Sequence, residues 1–424
     1  MKKSLFALAA VTAFAGAAQA QSSVTVYGIL DVGYVGSNTR LSNGGTTGTN
    51  AGLVTKTQSS AIGQSAETTS RLGFKGTEDL GKGLSAFFTA EFQLFPEDQS
   101  LSGNSTNKDS VNAANSNGGL LNRQTFVGLK KAGIGQFAVG TQYTPVFTSG
   151  AATSPGQYNN MLGDVVYAGS TTAGNNGGGA VSTGFTNRTS NTLTLATEKF
   201  AGFGANAMLT QNNNNSTQTS VSTAGGNVNA SGWGLGADYT YSKFYVTAAY
   251  QALKQLTSAP SYNTVVNTAG TTQTTAAWTT AQPSANTAGS ALNVQDNQFL
   301  AGATYDFGIL KAYAQYVSRK ATATQSSNYY VKRSAEQIGV RSFITPTIEG
   351  WASIGTGRYT AFGSGQPTAN FNGWQLGSNY ILSKRTNLYA IYGQQNFSNA
   401  NAGTGYGTVS ANANNYAVGV RHTF

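Results

Sequence analysis

The stretch SRLGFKGTEDLGKGLSAFFTAEFQL, Ser70 to Leu94, holds two alternating runs joined by a turn. In the first, Arg71 and Lys75 keep step with Gly73 and Thr77, while Leu72 and Phe74 take the intervening positions. In the second, Leu84, Ala86, Phe88, Ala90, Phe92 and Leu94 stand against Ser85, Thr89, Glu91 and Gln93. Successive side chains of a strand point to opposite sides, so each run predicts a strand with one apolar and one polar or cationic face. Between them Glu78 to Gly83 reads as a short turn.

The same texture recurs outward from this hairpin. FYVTAAYQA sets Phe244, Val246, Ala248 and Tyr250 against Tyr245, Thr247 and Gln251, and NYAVGVRHTF sets Tyr416, Val418, Val420, His422 and Phe424 against Ala417, Gly419, Arg421 and Thr423. A helical period is scarcely visible anywhere. Short connections (78–83, 130–136, 241–243, 306–308, 345–347, 383–385) alternate with long polar ones near 36–68, 96–121, 144–187, 211–231, 255–296, 319–332, 357–372 and 397–414. Eight long connections between strand pairs imply about sixteen strands. A β-sandwich also has many alternating strands, but its Greek-key connections do not sort into short and long in turn. An antiparallel transmembrane barrel sorts them that way, with short periplasmic turns and long external loops. The fold class is therefore read as all-β, a membrane-spanning barrel.

Composition supports this. Only 9% of the 424 residues are charged, against about 25% in ordinary soluble domains, while aromatics reach 11% and glycines number 53. Lys2 and Lys3, the apolar run Leu5 to Ala18 and the AQA before Gln21 have the parts of a secretory signal peptide, so residues 1–20 are expected to be a leader and 21–424 the barrel. Beyond it no apolar run is long enough for a transmembrane helix. Without the leader, 23 Lys and Arg face 15 Asp and Glu, a net of +8. In an exported chain that balance points to anionic solutes or lipopolysaccharide rather than nucleic acid, since the cations are dispersed along strands instead of gathered in one stripe.

Parity then assigns directions. An Arg or Lys facing lipid near mid-bilayer costs about 2 to 4 kcal/mol, so Arg71 and Lys75 point into the lumen. Arg188 follows because Leu193 and Leu195 occupy the opposite face, and Lys311 and Arg421 obey the same rule. Weak alternation around Arg123 leaves its direction open. Asp31, Glu91, Asp238 and Asp306 fall on lumenal faces. Zero cysteines and one histidine, His422, remove thiolate and Ser-His chemistry, and no catalytic, cofactor or metal constellation is recognisable.

QSSVTVYGILDVGY, SRLGFKGTEDLGKGLSAFFTAEF, NRQTFVGL, GQFAVGTQYTP, LSKRTNLYAIYG and the terminal AVGVRHTF resemble the general diffusion porins of Gram-negative bacteria, of the betaproteobacterial type. The resemblance implies a sixteen-stranded trimeric barrel whose third long loop, here residues 144–186, folds into the lumen and narrows it. It implies a pore constriction whose cationic side is Arg71, Arg123 and Arg188, while parity sets Lys75, Glu91 and Asp31 on the pore wall. In the loop it leaves Asp164 as the one acid to face the three arginines. It also implies that Phe424 is read by outer-membrane assembly machinery. The expected function is an outer-membrane, water-filled, anion-preferring channel for small anionic or neutral hydrophilic solutes, with no enzymatic activity and no cofactor. Two other readings stay open: a substrate-specific porin with an aromatic track through Tyr245, Tyr313 and Tyr389, and a surface-binding barrel whose long loops engage other molecules.

Overall fold

The computed structural model describes residues 23–43, 53–96, 121–167, 184–216, 226–257, 294–323, 330–361, 368–398 and 409–424. The expected leader, 1–20, and residues 168–183 of the third loop lie outside them. The strands are β1 (Ser23–Asn43), β2 (Val54–Gln64), β3 (Arg71–Gly81), β4 (Leu84–Gln93), β5 (Leu121–Lys131), β6 (Gly135–Tyr143), β7 (Arg188–Thr197), β8 (Phe203–Ser216) and β9 (Gly226–Tyr241). They continue with β10 (Phe244–Thr257), β11 (Val294–Asp306), β12 (Lys311–Ala323), β13 (Tyr330–Thr345), β14 (Ile348–Ala361), β15 (Ala369–Ile381), β16 (Thr386–Phe397) and β17 (Val409–Thr423). Among the described residues one helix, α1 (Pro145–Thr153), lies between β6 and β7.

All seventeen segments join one antiparallel sheet that closes on itself. On one side β1 pairs with β17 from Ile29 to Asn43; on the other it meets β3 over Ser23 to Ile29 and β2 over Val32 to Ser42. β2 and β3 are thus two halves of one stave, broken between Gln64 and Arg71, and the barrel has the sixteen staves expected from the connections. The seam is sealed by two bonds of 3.1 Å between Gly28 and Phe424. The Phe424 ring fills the space where a side chain at residue 28 would stand, so this position needs glycine.

Closure satisfies every ladder without leaving an edge, the condition for a sheet to lie in hydrocarbon. The side chains are sorted accordingly. Val127, Ile338 and Ile354 are 61%, 63% and 59% exposed on the outer face, while Gln251, Gln298 and Gln375 on the inner face are 0% exposed. That is the reverse of a soluble protein.

Strand limits differ from the sequence expectation in one respect. β1 runs to Asn43 and β2 starts at Val54, so the first long connection is far shorter than 36–68; β8, β9, β12 and β13 likewise extend into stretches read as loop. Period-two hydrophobicity marks only the part of a stave that meets lipid. Beyond the bilayer both faces are wet, and the ladder continues through Asn, Ser and Thr without an alternating signature.

Candidate functional site, the lumenal constriction

After β6, Thr144 caps α1 by accepting from the Phe147 amide at 3.2 Å, and Pro145 occupies the first turn. The chain then folds into the lumen as an arch. Its far side is held by inward amides from six strands. Gln251 of β10 donates to the Thr186 carbonyl (3.2 Å), Gln298 of β11 accepts from the Thr186 amide (2.7 Å), and Gln315 of β12 donates to the Gly150 carbonyl (2.7 Å). Gln337 of β13 accepts from the Val165 amide (2.9 Å), Gln375 of β15 donates to the Leu162 carbonyl (2.8 Å), and Asn415 of β17 accepts from the Leu162 amide (3.0 Å). Gly163, with φ +100°, lies so close to the Trp374 carbonyl that a side chain there would clash.

The near side of the arch is held by the break between β2 and β3. Asn160 donates from its backbone to the Ala66 carbonyl (3.0 Å) and from its side chain to the Ser65 carbonyl (2.6 Å). Asp31 shapes this break: its carboxylate accepts from the amides of Glu67 (3.0 Å) and Thr68 (2.6 Å) and from the Tyr389 hydroxyl (2.6 Å). Fully buried, Asp31 is a brace inside the wall and not the solvated pore-wall residue expected of it. Tyr389, 4% exposed, is spent on the same brace, which removes it from the aromatic track. Tyr245 and Tyr313 do face the lumen, beside Lys199 and Lys311 respectively, 5.3 Å from ring to nitrogen in each case.

Opposite the amides stands the arginine wall. Arg71 opens β3, Arg123 lies in β5 and Arg188 opens β7. Arg123 donates Nε to Glu91 Oε1 at 2.8 Å and Nη2 to the Tyr143 hydroxyl at 2.9 Å. Arg71 lies 3.6 Å from Glu91 Oε2, which also accepts from the Tyr27 hydroxyl at 3.2 Å. Arg188 is set over the Tyr143 ring, 5.7 Å from its centroid, and that ring stacks on Phe147 of α1 at 4.2 Å. Lys75 sits lower on the same face over Tyr27, at 5.3 Å. The structure thus gathers the three arginines with Glu91, which is the shared counter-ion of Arg71 and Arg123 and not a separate wall residue.

Parity could not direct Arg123 for a physical reason. Glu91 pairs with Gln124 and Phe92 with Asn122, so Arg123 is the extra residue of a β-bulge, where the alternation slips by one. Asp164 corrects a second expectation. It does not face the arginines: Oδ2 accepts from Ser154 (3.0 Å) and Oδ1 from the amides of Val166 (3.0 Å) and Tyr167 (2.9 Å), so it closes a turn inside the arch. Burial holds its carboxyl above the ordinary range. The only sequence signature of these anchoring amides is a glutamine at inward parity on strand after strand.

Comparison with known proteins agrees with this geometry. A model described as Gram-negative porin matches residues 7–401. Outer membrane porin protein 32 of Delftia acidovorans is 45% identical over 107 residues, 24% of this chain and 25% of that one. A Bordetella pertussis outer membrane porin is 34% identical over 142 residues, 34% of each chain. These alignments span about a quarter to a third of the curated relatives' length. Among solved structures, an anion-selective porin from Comamonas acidovorans superposes with a TM-score of 0.60 at 20% identity, covering 95% of this chain and all of that one. OmpT of Vibrio cholerae in its trimer form gives 0.57 at 15% identity, covering 95% and 99%. With a closed sixteen-stave barrel, an inward loop and a family match over most of its length, the chain belongs to the Gram-negative porins, β-barrels of the bacterial outer membrane.

Proposed function

We propose that the chain is a passive, water-filled diffusion channel for small hydrophilic solutes, that it prefers anions, and that it works as a homotrimer without catalytic activity. The observation that carries the anion preference is the constriction itself: Arg71 and Arg123 share the single carboxylate of Glu91, with Arg188 beside them, while the loop's acid is turned into its own backbone. A unit charge at 4 Å in water is worth about 1 kcal/mol, so each positive charge in excess of the described carboxylates enriches anions about fivefold at the narrow point and depletes cations alike. The name of the anion-selective structural neighbour is in keeping with this, and the trimeric OmpT structure with the oligomer.

The test is the zero-current potential of the reconstituted channel under a salt gradient. An anion-preferring potential that shrinks as salt rises is expected, because screening over about 8 Å at physiological ionic strength is comparable with the constriction. A cation-preferring potential overturns the reading. Oligomers that dissociate on heating in a detergent gel would support the trimer, and migration as a monomer without heating would refute it.

A further inference from the structure

We propose that Tyr143 is a positioning residue of the constriction: its one side chain aims both Arg123 and Arg188 and makes their placement depend on how the arch is seated. Tyr143 is the last residue of β6, and an irregularity in the β6–β7 ladder between Gly140 and Gln142 brings it opposite Arg188 as a direct cross-strand partner. The Arg188 guanidinium lies 5.7 Å from the centre of the Tyr143 ring, a distance at which a ring face attracts a cation. The hydroxyl at the far end of that ring accepts from Arg123 Nη2 at 2.9 Å. Arg123 is 3% exposed, and its Nη1 meets no hydrogen-bond partner among the described residues, so its direction rests on the bonds to Tyr143 and Glu91. Arg71 is oriented without Tyr143: it has Glu91 at 3.6 Å and donates Nε to the Thr69 carbonyl at 2.9 Å.

The same ring is tied to the arch. Thr144 is extended, with φ −81° and ψ 157°, and Pro145 starts α1, so the chain turns back and Phe147 comes to lie on Tyr143, 4.2 Å between ring centres and 10° between planes. Phe147 in turn meets Tyr158 at 5.7 Å and Tyr167 at 6.4 Å, in the segment whose Leu162 and Val165 are bonded to the far wall. Aromatic layers thus run from the seated arch to two guanidiniums, and close-packed rings transmit a displacement that a solvated side chain would absorb. An arch that lifts from the far wall draws Phe147 off Tyr143 and loosens Arg123 and Arg188 together. The wider opening is then also the less anion-preferring one, with Arg71 and Glu91 left in place. Pore width and ion preference are coupled through one phenol.

This positioning role deepens the anion-preferring reading and rests on it, yet the two fail separately: the sign of the parent channel's zero-current potential tests that reading, whereas the shift of a variant from its parent tests this one. With the full chain reconstituted in planar bilayers, Tyr143→Leu should lower the anion-to-cation permeability ratio on the order of fivefold, as if one charge were lost although none is removed. Tyr143→Phe keeps the ring beside Arg188 and loses only the hydroxyl, so its ratio should fall between those of Tyr143→Leu and the parent. Phe147→Leu should lower the ratio about twofold with every charged side chain in place. In an Arg188→Gln background Tyr143→Leu should lower the ratio by less than it does in the parent, because one of the cations it positions is already gone. An unchanged ratio in Tyr143→Leu overturns the proposal. So does an equal effect in both backgrounds, since a wider pore alone would act alike with or without Arg188. Should Tyr143→Leu fail to insert, Tyr143→Phe and Phe147→Leu are read instead, and parental ratios in both overturn the proposal.

Discussion

The two sides of the lumen use the same residue types to opposite ends. On the β10 to β17 side, Arg319 is matched to Asp296 at 2.6 Å and Arg341 to Glu349 at 2.6 Å, each cation with its own carboxylate. Arg333 there gives its charge to the Val165 carbonyl and the Tyr359 hydroxyl. The same wall adds the neutral amides that hold the arch. On the β3 to β7 side, Arg71 and Arg123 divide one carboxylate, Glu91, with Arg188 beside them. Charge is neutralised where the wall must hold a loop and left in excess where solutes would pass. Buried backbone groups need partners more than they need charge, whereas a diffusing ion responds to charge and not to amides.

Removing Glu91 should break this contrast most severely. Glu91→Gln leaves two neighbouring guanidiniums without their carboxylate; breaking a buried pair costs roughly 3 to 5 kcal/mol, a ceiling here because water reaches Arg71. A lower thermal midpoint of the folded barrel is expected, together with a stronger anion preference in those channels that do insert. An unchanged midpoint would mean that the two arginines do not depend on Glu91.

Next in size is loss of the anchoring amides. Gln375→Ala leaves the Leu162 carbonyl and the Trp351 indole N–H without Gln375, and removes one of the two partners at each polar atom of the Asn159 side chain, which Gln375 meets at 2.6 and 3.0 Å. Each unsatisfied group costs about 1 to 3 kcal/mol, enough to raise the population of an undocked arch by about tenfold or more. Single-channel records should show added noise and a larger mean current, with the sign of the selectivity retained. Quiet currents of ordinary size would indicate that the arch is held by its other contacts.

Neutralising the arginine wall acts on selectivity rather than stability. Arg71→Gln combined with Arg188→Gln should lower the anion-to-cation permeability ratio at least about fivefold per charge, from the lost anion enrichment alone, read from zero-current potentials. The matching change on the other wall, Arg341→Gln with Glu349→Gln, removes one charge of each sign and should leave the ratio alone. Equal effects of the two pairs would abolish the distinction between the walls.

The smallest effect is expected at Asp164. Asp164→Asn keeps the carbonyl oxygen that accepts from Val166 and Tyr167, and its new amide can donate to Ser154 Oγ. Because burial already raises its carboxyl above the ordinary range, the ionised form is the disfavoured one in the fold. The cost of keeping it ionised appears as pH rises past the unfolded value, so the Asn variant should match the parent in acid and be equally or slightly more stable at neutral pH. Its selectivity should equal the parent's; a clear gain in anion preference would restore Asp164 as a counter-ion of the arginines.

The alternation of Leu72 and Phe74 with Arg71 and Lys75, repeated stave after stave, determined the barrel, its approximate stave number and the inward direction of most charges. That information is local, because a period of two needs only neighbours along the chain and the cost of a cation in lipid. Tertiary structure alone decided where the period slips and what meets across the lumen. The bulge that aims Arg123, the broken stave braced by Asp31 and the docking of Asn159 on Gln375, 216 positions away, arise from strand register and loop closure. No window of the sequence contains both partners of such contacts, so their chemistry becomes readable only once the barrel has closed.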